Sequence, residues 1–151
     1  MNVGEICNRE VVIGYRDTRL VEAAKLMREH HVGSLVIVVD RLSERVPVGI
    51  LTDRDIAVGV VAKDLDPRGL TVADVIDAGR LLVVRDQDDL PDALRLMREK
   101  GVRRVPVVSK SGALVGIVTL DDIVELAAEE LQDAVRTVGQ ERLRETRQRP
   151  A

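Results

Sequence analysis

The sequence predicts an α/β protein of the α+β type, in which two copies of a β-α-β-β-α unit pack through their sheets as a pseudo-twofold pair. Three observations predict it. Leu20 to Val38 matches Leu90 to Val108 at a constant offset, most clearly in LVEAAKLMREHHV against LPDALRLMREKGV. Val48 to Ile56 (VGILTDRDI) matches Val115 to Ile123 (VGIVTLDDI), and Asn2 to Asn8 (NVGEICN) parallels Thr71 to Asp77 (TVADVID). Within each copy the apolar period alternates between strand-like runs and helical spacing, and a unit with one apolar sheet face buries more area against its twin than alone.

The elements follow in the same order in each half. A short capped helix opens it, with Asn2 three residues ahead of Glu5 and Thr71 three ahead of Asp74, the spacing of a capping box. β-type runs follow at Val11 to Ile13 and Leu81 to Val84. Amphipathic helices come next, carrying Leu20, Ala23, Ala24 and Met27 in one copy and Leu90, Ala93, Leu94 and Met97 in the other. Asp17 or Thr18 can cap the first, and Asp88 or Asp89 the second, with Pro91 in a first turn where a missing N–H is harmless. Two strands joined by a turn then pair Leu35 to Val39 with Val46 to Leu51, and Val105 to Val108 with Leu114 to Val118. A last helix starts after Thr52 and after Thr119. The organisation is repeat 1 over 1–62, a connecting turn over 63–70 marked by Asp66-Pro67 and Gly69, repeat 2 over 71–127, and a helical extension with a charged tail over 128–151.

Composition excludes several classes. The chain of 151 residues has one Tyr and no Phe or Trp, so its core is aliphatic and it offers no aromatic platforms for single-stranded nucleic acid. With 23 basic and 26 acidic residues the net charge is −3, and no positive field gathers a phosphate backbone; nucleic acid is not an expected partner. The longest apolar run, Leu35 to Val39, is far short of the ~20 residues that span a bilayer. The N-terminus shows no signal-peptide pattern, and one cysteine, Cys7, can form neither an internal disulfide nor a metal site alone. A cytoplasmic protein without a membrane partner is expected.

The sharpest motif is Gly-x-x-Thr-x-x-Asp, present as Gly49, Thr52, Asp55 and as Gly116, Thr119, Asp122. One reading is purely structural, a helix cap with Asp in the place of the usual Glu. The other is functional. A helix N-terminus at a strand end favours an anion, the carboxylate can accept both ribose hydroxyls, and the glycine would let a ligand approach the backbone.

This motif, doubled and joined to VRRVPVV at Val102 to Val108, GIVTLDD at Gly116 to Asp122 and GILTDRD at Gly49 to Asp55, resembles the tandem CBS domains named for cystathionine β-synthase. The resemblance covers nearly all of Val3 to Leu126. It implies a non-catalytic, stand-alone pair that binds AMP, ADP or ATP, less often S-adenosylmethionine or another nucleotide, in clefts between the repeats and signals the nucleotide state. It implies that Asp55 and Asp122 hold ribose hydroxyls, with Thr52 and Thr119 close by. It further implies that the backbone at Val105 and Pro106 lines the adenine pocket, and that Arg103 and Arg104 point towards phosphate, for which the planar guanidinium is suited; plain surface charges are the alternative. At the places of Arg103, Arg104 and Pro106 the first repeat has Gly33, Ser34 and Val36, so the Asp122 site is expected to be the better one, with Arg54 able to compensate beside Asp55.

No nucleophile, base and orienting group assemble from these residues, so no catalytic residue, no metal and no cofactor beyond the nucleotide ligand is expected. His30 and His31 sit at a helix C-terminus, where positive charge is favoured. Cys7 takes the slot of Ile76 and reads as a small buried apolar residue. In the tail, Ile123, Leu126, Ala127, Leu131, Ala134, Val135 and Val138 keep helical spacing until Gly139 interrupts, and Glu141 to Pro150 is expected to fray. The stripe either folds back on the module or meets a symmetry mate, and a homodimer is expected. A dimerisation platform without ligand, acting on an unidentified regulated protein, is the competing function.

Overall fold

A computed structural model describes residues 1–77 and 79–149. The elements are α1 (Val3–Ile6), β1 (Ile13–Gly14), α2 (Leu20–His30), β2 (Ser34–Arg41), β3 (Glu44–Thr52), α3 (Asp53–Gly59), β4 (Val84–Arg85), α4 (Leu90–Lys100), β5 (Arg104–Val108), β6 (Leu114–Thr119) and α5 (Leu120–Gln148). They form two three-stranded sheets, β1-β2-β3 and β4-β5-β6, the α+β pair of repeats that the sequence predicts. The first strand of each sheet runs parallel to the second, and β2 and β3 form an antiparallel hairpin. The chain divides into two compact units, Met1–Val118 and Thr119–Ala151.

Within Met1–Val118 the core is aliphatic. Leu20, Ala23 and Met27 of α2 pack with Leu35, Ile37 and Leu51 of the hairpin and with Val60 and Val72. The second repeat buries the corresponding Ala93, Met97, Val105, Val107 and Val118, together with Val3. Each fully buried Val or Leu contributes about 1.5–3 kcal/mol. The hairpin turns at Leu42 and Ser43, whose φ values of 48° and 66° are those of a tight two-residue turn made without glycine; the turn is two residues long, and Glu44 and Arg45 already belong to β3.

The opening segments cross over. Val3 and Gly4 donate to the carbonyls of Asp88 and Asp86 in the second repeat, at 2.9 and 2.8 Å, while Val72 and Ala73 donate to Thr18 and Arg16 in the first, at 2.9 and 3.0 Å. The first N–H of α2 donates to the Leu70 carbonyl (3.0 Å) and that of α4 to the Met1 carbonyl (3.2 Å). These bonds are equivalent position by position, and they correct the expected caps. Arg19 and Asp89 are the N-cap residues and neither makes a side-chain cap bond. Thr18 instead accepts from the Tyr15 N–H (2.9 Å) and Asp88 from the Arg85 N–H (2.8 Å), closing the turn before each helix. A main-chain carbonyl from outside the helix's own repeat already serves the helix end, so the side chain is released for the turn.

Two further expectations need correction. β1 and β4 are two-residue strands displaced towards the C-terminal end of the predicted apolar runs, because only those residues find a neighbour to bond. α5 runs 29 residues through Gly139 to Gln148. One interior glycine costs about 1 kcal/mol relative to alanine, too little to end a helix otherwise rich in Glu, Arg, Leu, Ala and Gln. No helix among the described residues is long and apolar enough to cross a membrane.

Candidate functional site

Strand β3 ends where α3 begins, and the junction is a closed capping box. The Asp55 N–H donates to Thr52 Oγ1 at 3.1 Å, and the Thr52 N–H donates to Asp55 Oδ2 at 2.8 Å. The junction of β6 and α5 repeats the theme in the second unit: the Asp122 N–H donates to Thr119 Oγ1 at 3.1 Å, and that hydroxyl donates to Asp122 Oδ2 at 2.7 Å. The structural reading of the motif holds in full in the first copy, whereas in the second Thr119 caps the helix and the Asp122 carboxylate takes its hydroxyl in place of the main-chain N–H. The first cap leaves one carboxylate oxygen of Asp55 without a protein partner among the described residues.

A cavity of about 580 Å³ opens beside Asp55, within the range of about 300–1,000 Å³ usual for small-molecule sites. Thr52, Asp53, Arg54 and Asp55 form one wall, Val75, Ile76 and Arg80 to Leu82 another, and Gly101 to Arg104 a third. Apolar side chains and four arginines thus line the same space, with three aspartates. Asp77 pairs with Arg80 at 3.1 Å. A smaller cavity of about 320 Å³ shares Arg54, Asp55 and Val75 and extends to Lys63 and Asp74.

This arrangement redistributes the predicted residues. Arg103 and Arg104, expected beside Asp122, line the cleft of Thr52, Arg54 and Asp55. The physical reason lies in the pairing of the repeats: equivalent positions need not be neighbours, and the turn before β5 in one repeat reaches the helix cap of the other. Gly33 makes room for it, since a Cβ there would sit 3.1 Å from Asp53 Oδ2 and 3.4 Å from Arg104 Nη1. The cavity wall ends at Arg104. Val105 and Pro106 follow Arg104 in β5, whose side chains are buried from Val105 to Val108. Thr119 and Asp122 belong to the helical unit.

The two motif glycines differ from one another, and Gly49 itself lines the cleft. A Cβ on Gly49 would lie 3.0 Å from Ile76 Cδ1, and one on Gly116 would lie 2.6 Å from the Asn8 carbonyl oxygen and 2.8 Å from Cys7 Sγ. Each glycine admits the crossing segment of the protein's own chain. At Gly116 that segment is bonded to β6, Asn8 and Ile117 exchanging two main-chain hydrogen bonds of 2.9 Å. Burial pushes the Cys7 thiol above its ordinary range, with the charge of Arg9 opposing. His31 adopts φ 53° at the end of α2, where Gly101 (φ 65°) ends α4, and no cluster of three metal-ligating side chains occurs among the described residues.

Fold and cleft together define a class, a paired-repeat module with a ligand-sized space lined from both repeats. The CBS domain model matches residues 3–61 and 71–129, and the chain belongs to the CBS-domain family. Hypoxic response protein 1 of Mycobacterium tuberculosis is 40% identical over 123 residues, covering 82% of this chain and 78% of that protein. A crystal structure of Hypoxic Response Protein I with two coordinated zinc ions aligns with TM-score 0.70 over 83% of this chain and 98% of that one, at 36% identity. An uncharacterized protein of Methanopyrus kandleri is 37% identical over 126 residues, 83% of this chain, which spans 62% of that protein's length. A CBS domain pair solved in complex with 5-methylthioadenosine and S-adenosyl-L-methionine aligns with TM-score 0.73 over 86% of this chain and 98% of that one, at 25% identity.

Proposed function

We propose that the chain is a non-catalytic regulatory module that binds an adenine nucleotide, AMP, ADP or ATP, in the cleft of Asp55. The observation that carries this is the meeting of Arg103 and Arg104 from one repeat with Thr52, Arg54 and Asp55 from the other around one cavity. In this reading Asp55 accepts ribose hydroxyls through the oxygen that the cap does not use, with Thr52 at its side. Arg54, Arg103 and Arg104 hold phosphate, and Ile76, Leu82 and Val102 bound the purine. The backbone at Val105 and Pro106, which follow Arg104 on β5, lines the adenine pocket, and Thr119 and Asp122 head a second, poorer site. Occupancy signals by changing the module's affinity for a regulated protein, which requires the two states to bind nucleotide unequally. The module acts in the cytoplasm as a twofold homodimer.

The solved pair holding S-adenosyl-L-methionine supports a second reading, that ligand class here. Its sulfonium adds positive charge beside Arg54, Arg103 and Arg104, from which phosphorylated ligands gain charge-assisted bonds instead. Thermal unfolding with AMP, ADP, ATP and S-adenosylmethionine separates the readings. Ligand at about 100 times its dissociation constant adds roughly 2.7 kcal/mol, and each kcal/mol moves the midpoint about 2–4 °C at this size. A shift of several degrees with a phosphorylated ligand is expected. If AMP, ADP and ATP all leave the curve in place, the module is a platform without nucleotide.

A further inference from the structure

The helix α5 carries features that nucleotide binding does not use. Every described residue from 127 to 149 is exposed, and the family match ends at residue 129. Val124, Ala128, Leu131, Val135 and Val138 recur at alternating spacings of four and three, the pattern of a left-handed coiled-coil seam. The four larger ones are 49–68% exposed. A long helix draws most of its stability from packing one apolar face, and this face has no cover within its own unit.

Charge says what covers it. From residue 120 to 135 the helix carries six acids and no base; from 136 to 149 it carries five arginines and two glutamates, so the halves stand at −6 and +3. The helix dipole favours acids at the start and bases at the end, but only within the first and last turns. It does not account for Glu129, Glu130 and Asp133, three turns in. Two copies laid antiparallel place the acidic half of each over the basic half of the other. Laid parallel, they would set like against like along the whole length.

We infer that α5 is a self-association element, pairing with α5 of a second copy as an antiparallel two-helix coiled coil whose twofold axis passes near Val135 and Arg136, where the acidic half gives way to the basic one. This rests on the homodimer reading and adds its surface and direction.

The test uses the full chain. Light scattering at micromolar concentration should give twice the 16.6 kDa chain mass. From about 0.01 M to about 1 M salt the screening length falls from roughly 30 Å to 3 Å, and the dissociation constant should rise roughly tenfold. Leu131→Asp with Val135→Asp should yield a monomer whose remaining fold melts as before, since both positions are exposed. On a Cys7→Ala background, oxidation of a mixture of Glu125→Cys and Thr146→Cys chains should join one to the other, and neither variant should join to itself. Efficient self-joining of each variant means parallel pairing and overturns the inference while the homodimer stands. A dimer that survives the double Asp change overturns it in favour of another surface. A monomeric wild type overturns both readings, with the stripe folded back on its own chain.

Discussion

The two copies of Gly-x-x-Thr-x-x-Asp share a cap and differ in their surroundings. At Gly49 the crossing segment presents the tip of a side chain, Ile76 Cδ1; at Gly116 it presents main chain, the Asn8 carbonyl, with Cys7 Sγ behind it. The first copy opens on a cleft with arginines from the other repeat. The second is tied to Asn8 by two main-chain bonds at Ile117. One motif, repeated, thus serves two ends. The Thr and Asp close a helix end in each copy, and what faces that end decides whether it also offers a ligand site.

The largest effect should come from the arginines. Replacing Arg103 and Arg104 by Gln removes charge-assisted bonds to phosphate, each worth about 1.5–3 kcal/mol, so calorimetry should show nucleotide affinity falling by more than about 100-fold while adenosine binding changes little. An equal loss for adenosine would mean that these side chains shape the cleft and do not contact phosphate. Next come the glycines. Gly116→Ala forces a methyl against a carbonyl and should destabilise by about 1–3 kcal/mol in urea unfolding, whereas Gly49→Ala, meeting a mobile methyl, should lose less than half as much. Equal losses would erase the contrast between backbone and side-chain contact.

Smaller effects sharpen the comparison further. Thr52→Ala and Thr119→Ala each remove a cap and should each lose about 1 kcal/mol; a much larger loss at one would show that its cap braces more than its own helix. Cys7, buried over Gly116 with its thiol pushed above the ordinary range, should react with iodoacetamide far more slowly than a free thiol at neutral pH. Its rate should rise only at pH above that of an ordinary cysteine. Rapid labelling would mean that the Asn8 segment opens easily.

Much of this was legible in the sequence. The offset between Leu20 and Leu90, the capping spacing at Asn2, Thr52, Thr71 and Thr119, and the paired apolar runs foretold the repeats, the two sheets and the helix starts. What could not be read was the neighbourhood of one repeat in the other. An offset equates Arg103 with Gly33 but does not say that Arg104 lies beside Gly33, because that contact is made across the pseudo-twofold relation. The same limit hid the caps of α2 and α4, which come from the carbonyls of Leu70 and Met1. The one local sign of crossing was the glycine at each motif head, which read equally well as room for a ligand.

The central claim is that the arginines of the second repeat and the carboxylate of the first form one nucleotide site, and its most direct test is calorimetric titration of wild type, Asp55→Asn and Asp122→Asn with the nucleotide that shifts the melting curve most. Each change replaces one carboxylate oxygen by an NH2 group beside a helix cap and should reduce stability by about 0.5–1 kcal/mol, so cooperative melting of both variants is the control. The account predicts that Asp55→Asn weakens binding about 10- to 100-fold through loss of a charge-assisted bond, and that Asp122→Asn leaves the tighter site nearly unchanged. Loss of the tighter site in Asp122→Asn, with Asp55→Asn binding as wild type does, would contradict it.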